Sequence, residues 1–367
     1  MTTPALQVVI APDSFKGSMD AMDVASAIAE GWRTLRPDDE LTLLPQADGG
    51  EGTLAAIASA VPGAVLRSAG DVTGPAGHPT PGHWLQLPDG TAVVELAQSS
   101  GLPLLSTLDP LGATTRGLGE VIAAALDSGA TALVLALGGS ASTDGGAGAL
   151  TALGLRLLDG DDRPVGVGGA ELARITRIDR TGLRPAPAGG VRLLSDVTSP
   201  LLGPTGAAVV FGPQKGADAQ DVRTLDAALG QFAGLLDGGA ATATAGAGAA
   251  GGTGYGFLAA WAAEIESGAE AIASLTGLAA AVASADVVIT GEGRYDATSR
   301  SGKVVGAALE LVPHERLVII AGQVAETPPP GVRVWDLSEL AGSPAAAIAD
   351  PARWARAAGV AAAHAAS

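Results

Sequence analysis

Asp286-Val-Val-Ile-Thr-Gly-Glu-Gly-Arg-Tyr-Asp296 joins a short apolar run to a glycine-rich segment carrying Glu292, Arg294 and Asp296. An unbroken apolar run of this length reads as a strand buried on both faces, as in parallel sheets covered by helices. Gly291 and Gly293 directly after it predict a loop with exposed backbone N–H groups, which suit an anion, and the neighbouring carboxylates suit its cation. Bound phosphate accompanied by a magnesium ion is the chemistry this combination favours.

The same texture opens the chain. Leu6 to Ala11 reads as a buried strand, Pro12 to Ser18 as a loop, and Met19 to Leu35 as a helix with capping oxygens at Ser18 and Asp20. Leu41 to Leu44 predicts a second strand, ending in Asp48-Gly-Gly-Glu51-Gly-Thr53 and a helix over Leu54 to Ala60. From Leu66 the pattern changes to short strands broken by Gly and Pro, with a hairpin signal at Pro88-Asp89-Gly90. The strand Ala132 to Leu137 then delivers Gly138-Gly-Ser-Ala-Ser-Thr-Asp144-Gly-Gly-Ala-Gly148, with a helix expected through Leu157. Strands at Val287–Thr290 and Leu317–Ala321, with a helix from about Lys303 to Leu311 between them, restore the opening texture. The expected architecture is therefore α/β with two domains: a discontinuous, Rossmann-like parallel outer domain over 1–66 plus 283–367, and an inserted α/β domain over 67–282. A site in the cleft between them is the expectation for such a pair.

Composition narrows the function classes. The 367 residues carry 21 Lys plus Arg against 38 Asp plus Glu, a net charge of -17, which argues against nucleic acid and anionic membrane as partners. A polyphosphate ligand would have to be held by local basic residues, backbone amides and a divalent ion. Cys is absent, which removes disulfides, thiolate zinc sites and cysteine nucleophiles and fits a reducing cytoplasm. The four histidines, His78, His83, His314 and His364, lack the spacing of a metal site. No apolar run is long enough to span a membrane, and no secretory signal is evident at the N-terminus.

Each motif has a plainer reading beside the chemical one. Asp13-Ser14-Phe-Lys16-Gly-Ser18 would point Lys16 outward at the sheet's C-terminal edge, or simply make a capped turn with a solvated lysine. Asp48 and Glu51 among three glycines suit a metal or a tight turn. The 138–148 segment favours phosphate or substrate binding, because so many glycines between strand and helix are costly unless the backbone must approach something closely. Asp196 ends a strand beside Thr198 and Ser199 and alone is no more than an Asx-turn. Gly246-Ala-Gly-Ala-Ala-Gly251, with Glu266 further on, matches a dinucleotide fingerprint literally but lacks the preceding buried strand. Its Gly/Ala/Thr surroundings, Gly238 to Gly256, read as a flexible linker. Ser301-Gly-Lys303 resembles the end of a P-loop, yet Ala297 and Val304 stand where that motif needs Gly and Ser/Thr.

Taken in order, Ala11-Pro-Asp-Ser-Phe-Lys-Gly-Ser18, Ala47-Asp-Gly-Gly-Glu-Gly-Thr53, Gly138 to Gly148, Ser195-Asp-Val-Thr-Ser-Pro-Leu201, Phe211-Gly-Pro-Gln-Lys-Gly216 and Ile289-Thr-Gly-Glu-Gly-Arg294 resemble the bacterial glycerate kinases of the type I family. Val72-Thr-Gly-Pro75, Thr114-Thr-Arg-Gly117 and Gly246 to Gly252 extend the likeness over nearly the whole chain. Ser142, Ser199 and Tyr255 depart from it. The resemblance implies ATP- and Mg²⁺-dependent phosphorylation of D-glycerate, with the 2-phosphate as product, and the two-domain α/β architecture; a monomer or homodimer is expected. A related hydroxy acid as acceptor, or an NAD(P)-dependent oxidoreductase using Gly246 to Gly251, are the rival readings.

For such a transfer, Lys16 and Asp196 are the expected catalytic residues. Asp13, Ser14, Gly139, Ser140, Asp144, Lys215, Gly291, Gly293, Arg294 and Asp296 are expected to bind substrate or nucleotide. Asp48, Asp196 and Glu292 are the expected metal ligands, since hard cations prefer carboxylate oxygen.

Overall fold

Val8 and Ile10 pack to one side of the strand Gln7–Ile10 and Val9 to the other, with Ala11 just beyond it on Val9's side, the alternation of extended chain. Both sides are covered in the computed structural model, which describes residues 4–300 and 303–366. On the first side lie Val24, Ile28 and Trp32 of the helix Ala21–Arg33 and Ala355, Ala358 and Ala362 of the helix Pro351–Ala365. On the other lie Ala273, Leu278, Val282 and Ala308, from the helices Gly268–Thr276, Leu278–Ala283 and Val304–Leu311. Burial on both faces is why the strand sequences are continuous apolar runs.

The chain forms two compact units, one comprising residues up to 48, 55–62 and 267 onward, the other 49–54 and 63–266. The first holds a five-stranded sheet in the order Arg333–Asp336, Leu317–Val324, Val287–Tyr295, Gln7–Ile10, Glu40–Leu43, parallel throughout. Residues 267–282, expected in the inserted domain, belong to this unit because Ala273, Leu278 and Val282 complete the cover over Val9 and Val288.

The second unit has a six-stranded sheet in the order Glu264–Glu266, Val191–Leu194, Ala132–Ala136, Thr91–Glu95, Pro79–Gln86, Val65–Thr73. Its first four strands are parallel and its last two antiparallel. The expected hairpin forms, with Gln86 opposite Ala92, Gly90 at φ 88, and Asp89 accepting from the Thr91 N–H.

Two expectations fail here. The helix after Gly148 spans only Ala147–Ala152, and Arg156–Leu158 is a strand paired with Arg177–Asp179. Leu153, Leu155 and Leu157 are all buried at a spacing of two, a strand period hidden inside an apolar run. The 238–256 tract is no linker. Its latter part belongs to the helix Ala249–Trp261, and a Cβ on Gly251 would lie 2.0 Å from the Ser142 carbonyl oxygen. Small residues there serve close packing. The turns preceding that helix contain no strand, so the dinucleotide reading of Gly246–Gly251 lacks its βαβ context. Ser301 and Gly302 of the P-loop-like ending lie outside the described residues. No helix among the described residues is long and apolar enough to cross a membrane.

The Ala-rich C-terminal helix packs on its own unit, backbone to backbone. A Cβ on Gly31 would come within 2.0 Å of the Arg356 carbonyl oxygen, and one on Gly359 within 2.2 Å of that of Ile28. Gly359→Ala must push the two helices apart, so it is expected to cost about 1–3 kcal/mol, as overpacked cores do. Urea unfolding checks this, since an unchanged midpoint would mean that the helices tolerate the methyl group.

Candidate functional site

In the first unit the chain winds outward in opposite directions from Gln7–Ile10 and Val287–Tyr295, toward Glu40–Leu43 on one side and Leu317–Val324 on the other. Such a switch point leaves a crevice at the strands' C-terminal ends, where open α/β sheets bind ligands. A cavity of about 360 Å³ lies there, lined by Asp13, Ser14, Lys16, Asp48, Glu292, Gly293, Arg294 and Asp296. Eight residues expected from the sequence are thus gathered at one place.

The charges in this cavity are poorly satisfied. Asp13 accepts from the Ser14 N–H at 2.6 Å, and its carboxyl is pushed up to about 7 by burial, then by the nearby Asp48 carboxylate, with Lys16 opposing. Burial also raises Glu292, whose Oε1 is enclosed without a hydrogen-bond partner. Lys16, two-thirds exposed, reaches the Asp48 Oδ2 at 3.1 Å. Exposed pairs of this kind contribute little stability, so this one has freedom to exchange partners. Asp296 is held down by the Thr298 hydroxyl and N–H on its Oδ1, and Arg294 donates to the Gln323 Oε1 at 3.2 Å.

Gly291 to Gly293 do not form the expected open loop. The strand runs on to Tyr295, with Gly291 opposite Ile320 and Glu292 opposite Ala321, and the Gly291 carbonyl accepts from the Asp13 N–H. Extended pairing aims the Glu292 side chain instead of presenting a backbone cradle. Lys303 and Gln323 also line the cavity, and sequence reasoning assigned them no site role. The lysine's signal was present in the P-loop-like ending, whereas Gln323 is marked only by its place at a strand end.

The second unit has its own cavity of about 320 Å³, bordered by Gly138, Gly139, Ser140, Ser195, Gln214 and Lys215 among others. Lys215 is 2% exposed and donates to the Ser140 Oγ at 2.9 Å and to the Ser142 carbonyl oxygen. Among the described residues no carboxylate lies within ion-pairing distance of it. Burial therefore drags its ammonium down to about 7, although the Asp144 charge works the other way. A buried cation lacking a counter-charge is a candidate seat for an anion.

Asp144, expected to bind substrate or nucleotide, is 1% exposed and already engaged within its own fold. Its oxygens accept from the Thr115 N–H and hydroxyl and from the Gly146 and Gly148 N–H groups, so it ties the glycine segment to the start of the helix Arg116–Asp127. Asp196 follows the strand Val191–Leu194, half-buried, between Ser195 and Val197, which border the second cavity.

Among the described residues no three carboxylates or imidazoles form a ready-made cation cage, so Asp48, Asp196 and Glu292 are not a preformed metal triad. Mg²⁺ is commonly held by one or two carboxylates with the remaining positions filled by water and phosphate. Asp48 and the Glu292 Oε1, which has no hydrogen-bond partner, both line the cavity and fit that demand.

Comparison with known proteins follows the same lines. A family model described as the glycerate kinase family matches residues 8–360. A glycerate kinase of Haemophilus influenzae is 43% identical over 330 residues, covering 88% of this chain and 87% of that protein. A glycerate 2-kinase of Escherichia coli K12 is 42% identical, covering 87% of this chain and 86% of its own. The crystal structure of a protein described as glycerate kinase 2 from Salmonella typhimurium LT2 superposes with a TM-score of 0.81 at 36% identity, over 98% of each chain.

The buried lysine makes stability depend on pH. Lys215 has a folded value lowered to about 7 from 10.5, so between those pH values the unfolded chain holds a proton that the folded chain has released. Stability therefore rises with pH across that window, and below it the full burial penalty applies. Lys215→Met is expected to melt above the parent at neutral pH and below, with the margin shrinking toward about pH 10. Thermal unfolding across pH reads this directly, and a margin that does not change with pH would mean the ammonium is not desolvated.

Proposed function

Since this chain belongs to the glycerate kinase family, we propose that it transfers the γ-phosphoryl group of ATP to a hydroxyl of D-glycerate, with Mg²⁺, giving ADP and 2-phosphoglycerate. The enzyme is a phosphotransferase with an alcohol group as acceptor. The observation that carries the fuller reading is the crevice at the sheet's switch point, where Lys16, Asp13, Asp48 and Glu292 meet around one cavity. The product assignment draws on the similarity to a glycerate 2-kinase. A cytoplasmic setting is supported by the absence of Cys and by the family.

Phosphoryl transfer asks for positioning and charge neutralisation more than for covalent chemistry. Lys16, two-thirds exposed, swings from Asp48 to a phosphate oxygen when nucleotide enters. Asp48 and Glu292 would hold Mg²⁺, which supplies charge neutralisation on the β- and γ-phosphates when bound. Arg294 clamps a further anionic oxygen. Lys215 and the Ser140 hydroxyl hold a second anionic group, and binding of an anion keeps the buried ammonium protonated. Asp196 takes the proton of the attacking hydroxyl as the new P–O bond forms and the bond to ADP breaks.

A coupled ADP-release assay with D-glycerate, followed by phosphorus NMR of the product, tests donor, acceptor and position together. Lys16→Ala is expected to lose about 10²–10³-fold in kcat/KM, the scale of a lost electrostatic stabiliser. Asp196→Asn should lower kcat while leaving ATP affinity intact. Equal turnover by parent and variant would remove Asp196 from the reaction.

A further inference from the structure

The cavity of the first unit has two unlike ends. One carries Asp13, Lys16, Asp48 and Glu292; the other is walled by Leu337, Pro344, Ile348 and Pro351. Leu337 is buried, yet Ile348 is 65% exposed, the most exposed large apolar side chain among the described residues. Exposed apolar surface on the rim of a polar crevice marks contact with something absent from the free protein. Glycerate does not fit that description: it has three carbons, a carboxylate and two hydroxyls, with no apolar face to offer.

The geometry points to the apolar end as the seat of the donor's adenine ring, between Ile348 and the prolines, with Gln323 and Ser338 meeting its polar edge. Both residues line the cavity and retain capacity for it. The Gln323 Oε1 accepts from Arg294, which leaves its amide nitrogen as a donor. The Ser338 hydroxyl donates to the Gly322 carbonyl oxygen, which leaves its own oxygen as an acceptor. A flat heterocycle with donors and acceptors on its rim and apolar faces suits such a slot. The strands Leu317–Val324 and Arg333–Asp336 end here, one and two strands beyond the switch point, so base and phosphates would lie along the sheet's C-terminal edge. This assignment rests on the ATP-dependent reading given above and adds where the base sits and which side chains select it.

The test compares Ile348→Asp with Leu340→Asp, an exposed leucine outside the cavity, in the full chain. Calorimetry with ADP and with inorganic tripolyphosphate separates base from phosphate binding without requiring turnover. Ile348→Asp is expected to weaken ADP about tenfold, the worth of one lost apolar contact, while tripolyphosphate binding is unchanged. In kinetics, the KM for ATP should rise with kcat and the KM for D-glycerate unaltered, and Leu340→Asp should match the parent. Equal weakening of ADP and tripolyphosphate, or a raised KM for D-glycerate with ATP unaffected, would overturn the seat. If the parent binds ADP with this dependence on Ile348 but releases none from ATP in the presence of D-glycerate, the seat stands and the acceptor assignment falls.

Discussion

Charge held out of water is the constraint on which the candidate site of each unit depends. Asp13 and Glu292 in one, and Lys215 in the other, are enclosed in surroundings that disfavour their ionised forms. Their burial penalty has to be offset by packing elsewhere, which explains the scaffold's character. The cores are built largely from Ala, Val, Leu and Ile on mainly parallel sheets, with backbone so close at Gly31, Gly251 and Gly359 that no side chain fits. Such strain-tolerant rigidity holds ill-matched groups where a ligand will meet them.

Legibility in the sequence followed how local each signal was. The strand–loop–helix units at Leu6–Leu35 and around Val287 were readable because burial on both faces imposes continuous apolar runs and because caps such as Asp20 are local. The hairpin at Asp89-Gly90 was readable for the same reason. The helix expected through Leu157 failed because a leucine-rich stretch satisfies periods of two and of 3.6 alike, and pairing with the strand Arg177–Asp179 chose between them. The supposed linker failed because composition cannot distinguish small residues that move freely from small residues pressed against another backbone.

The candidate site divides in the same way. That Asp13, Lys16, Asp48 and Glu292 line one cavity was foreshadowed because each lies in or after a recognisable strand. The four internal donors of Asp144 left no signal, because a carboxylate in a glycine loop looks identical whether it faces a ligand or its own fold. The burial of Lys215 left no mark in Phe211-Gly-Pro-Gln-Lys-Gly216, since what desolvates it comes from segments distant in sequence.

The ladder between Gln7–Ile10 and Val287–Tyr295 also has a temporal meaning. Gln7 and Asp286 share a hydrogen bond across a sequence separation of 279. During synthesis the first strand and its Val8-Val9-Ile10 run therefore wait on the order of tens of seconds for the partner that covers one edge. The intervening unit, with its strands complete in itself, has emerged by then. Until then the early apolar segment has only the neighbouring strand Glu40–Leu43 beside it, so the order of the strands sets when this sheet can close.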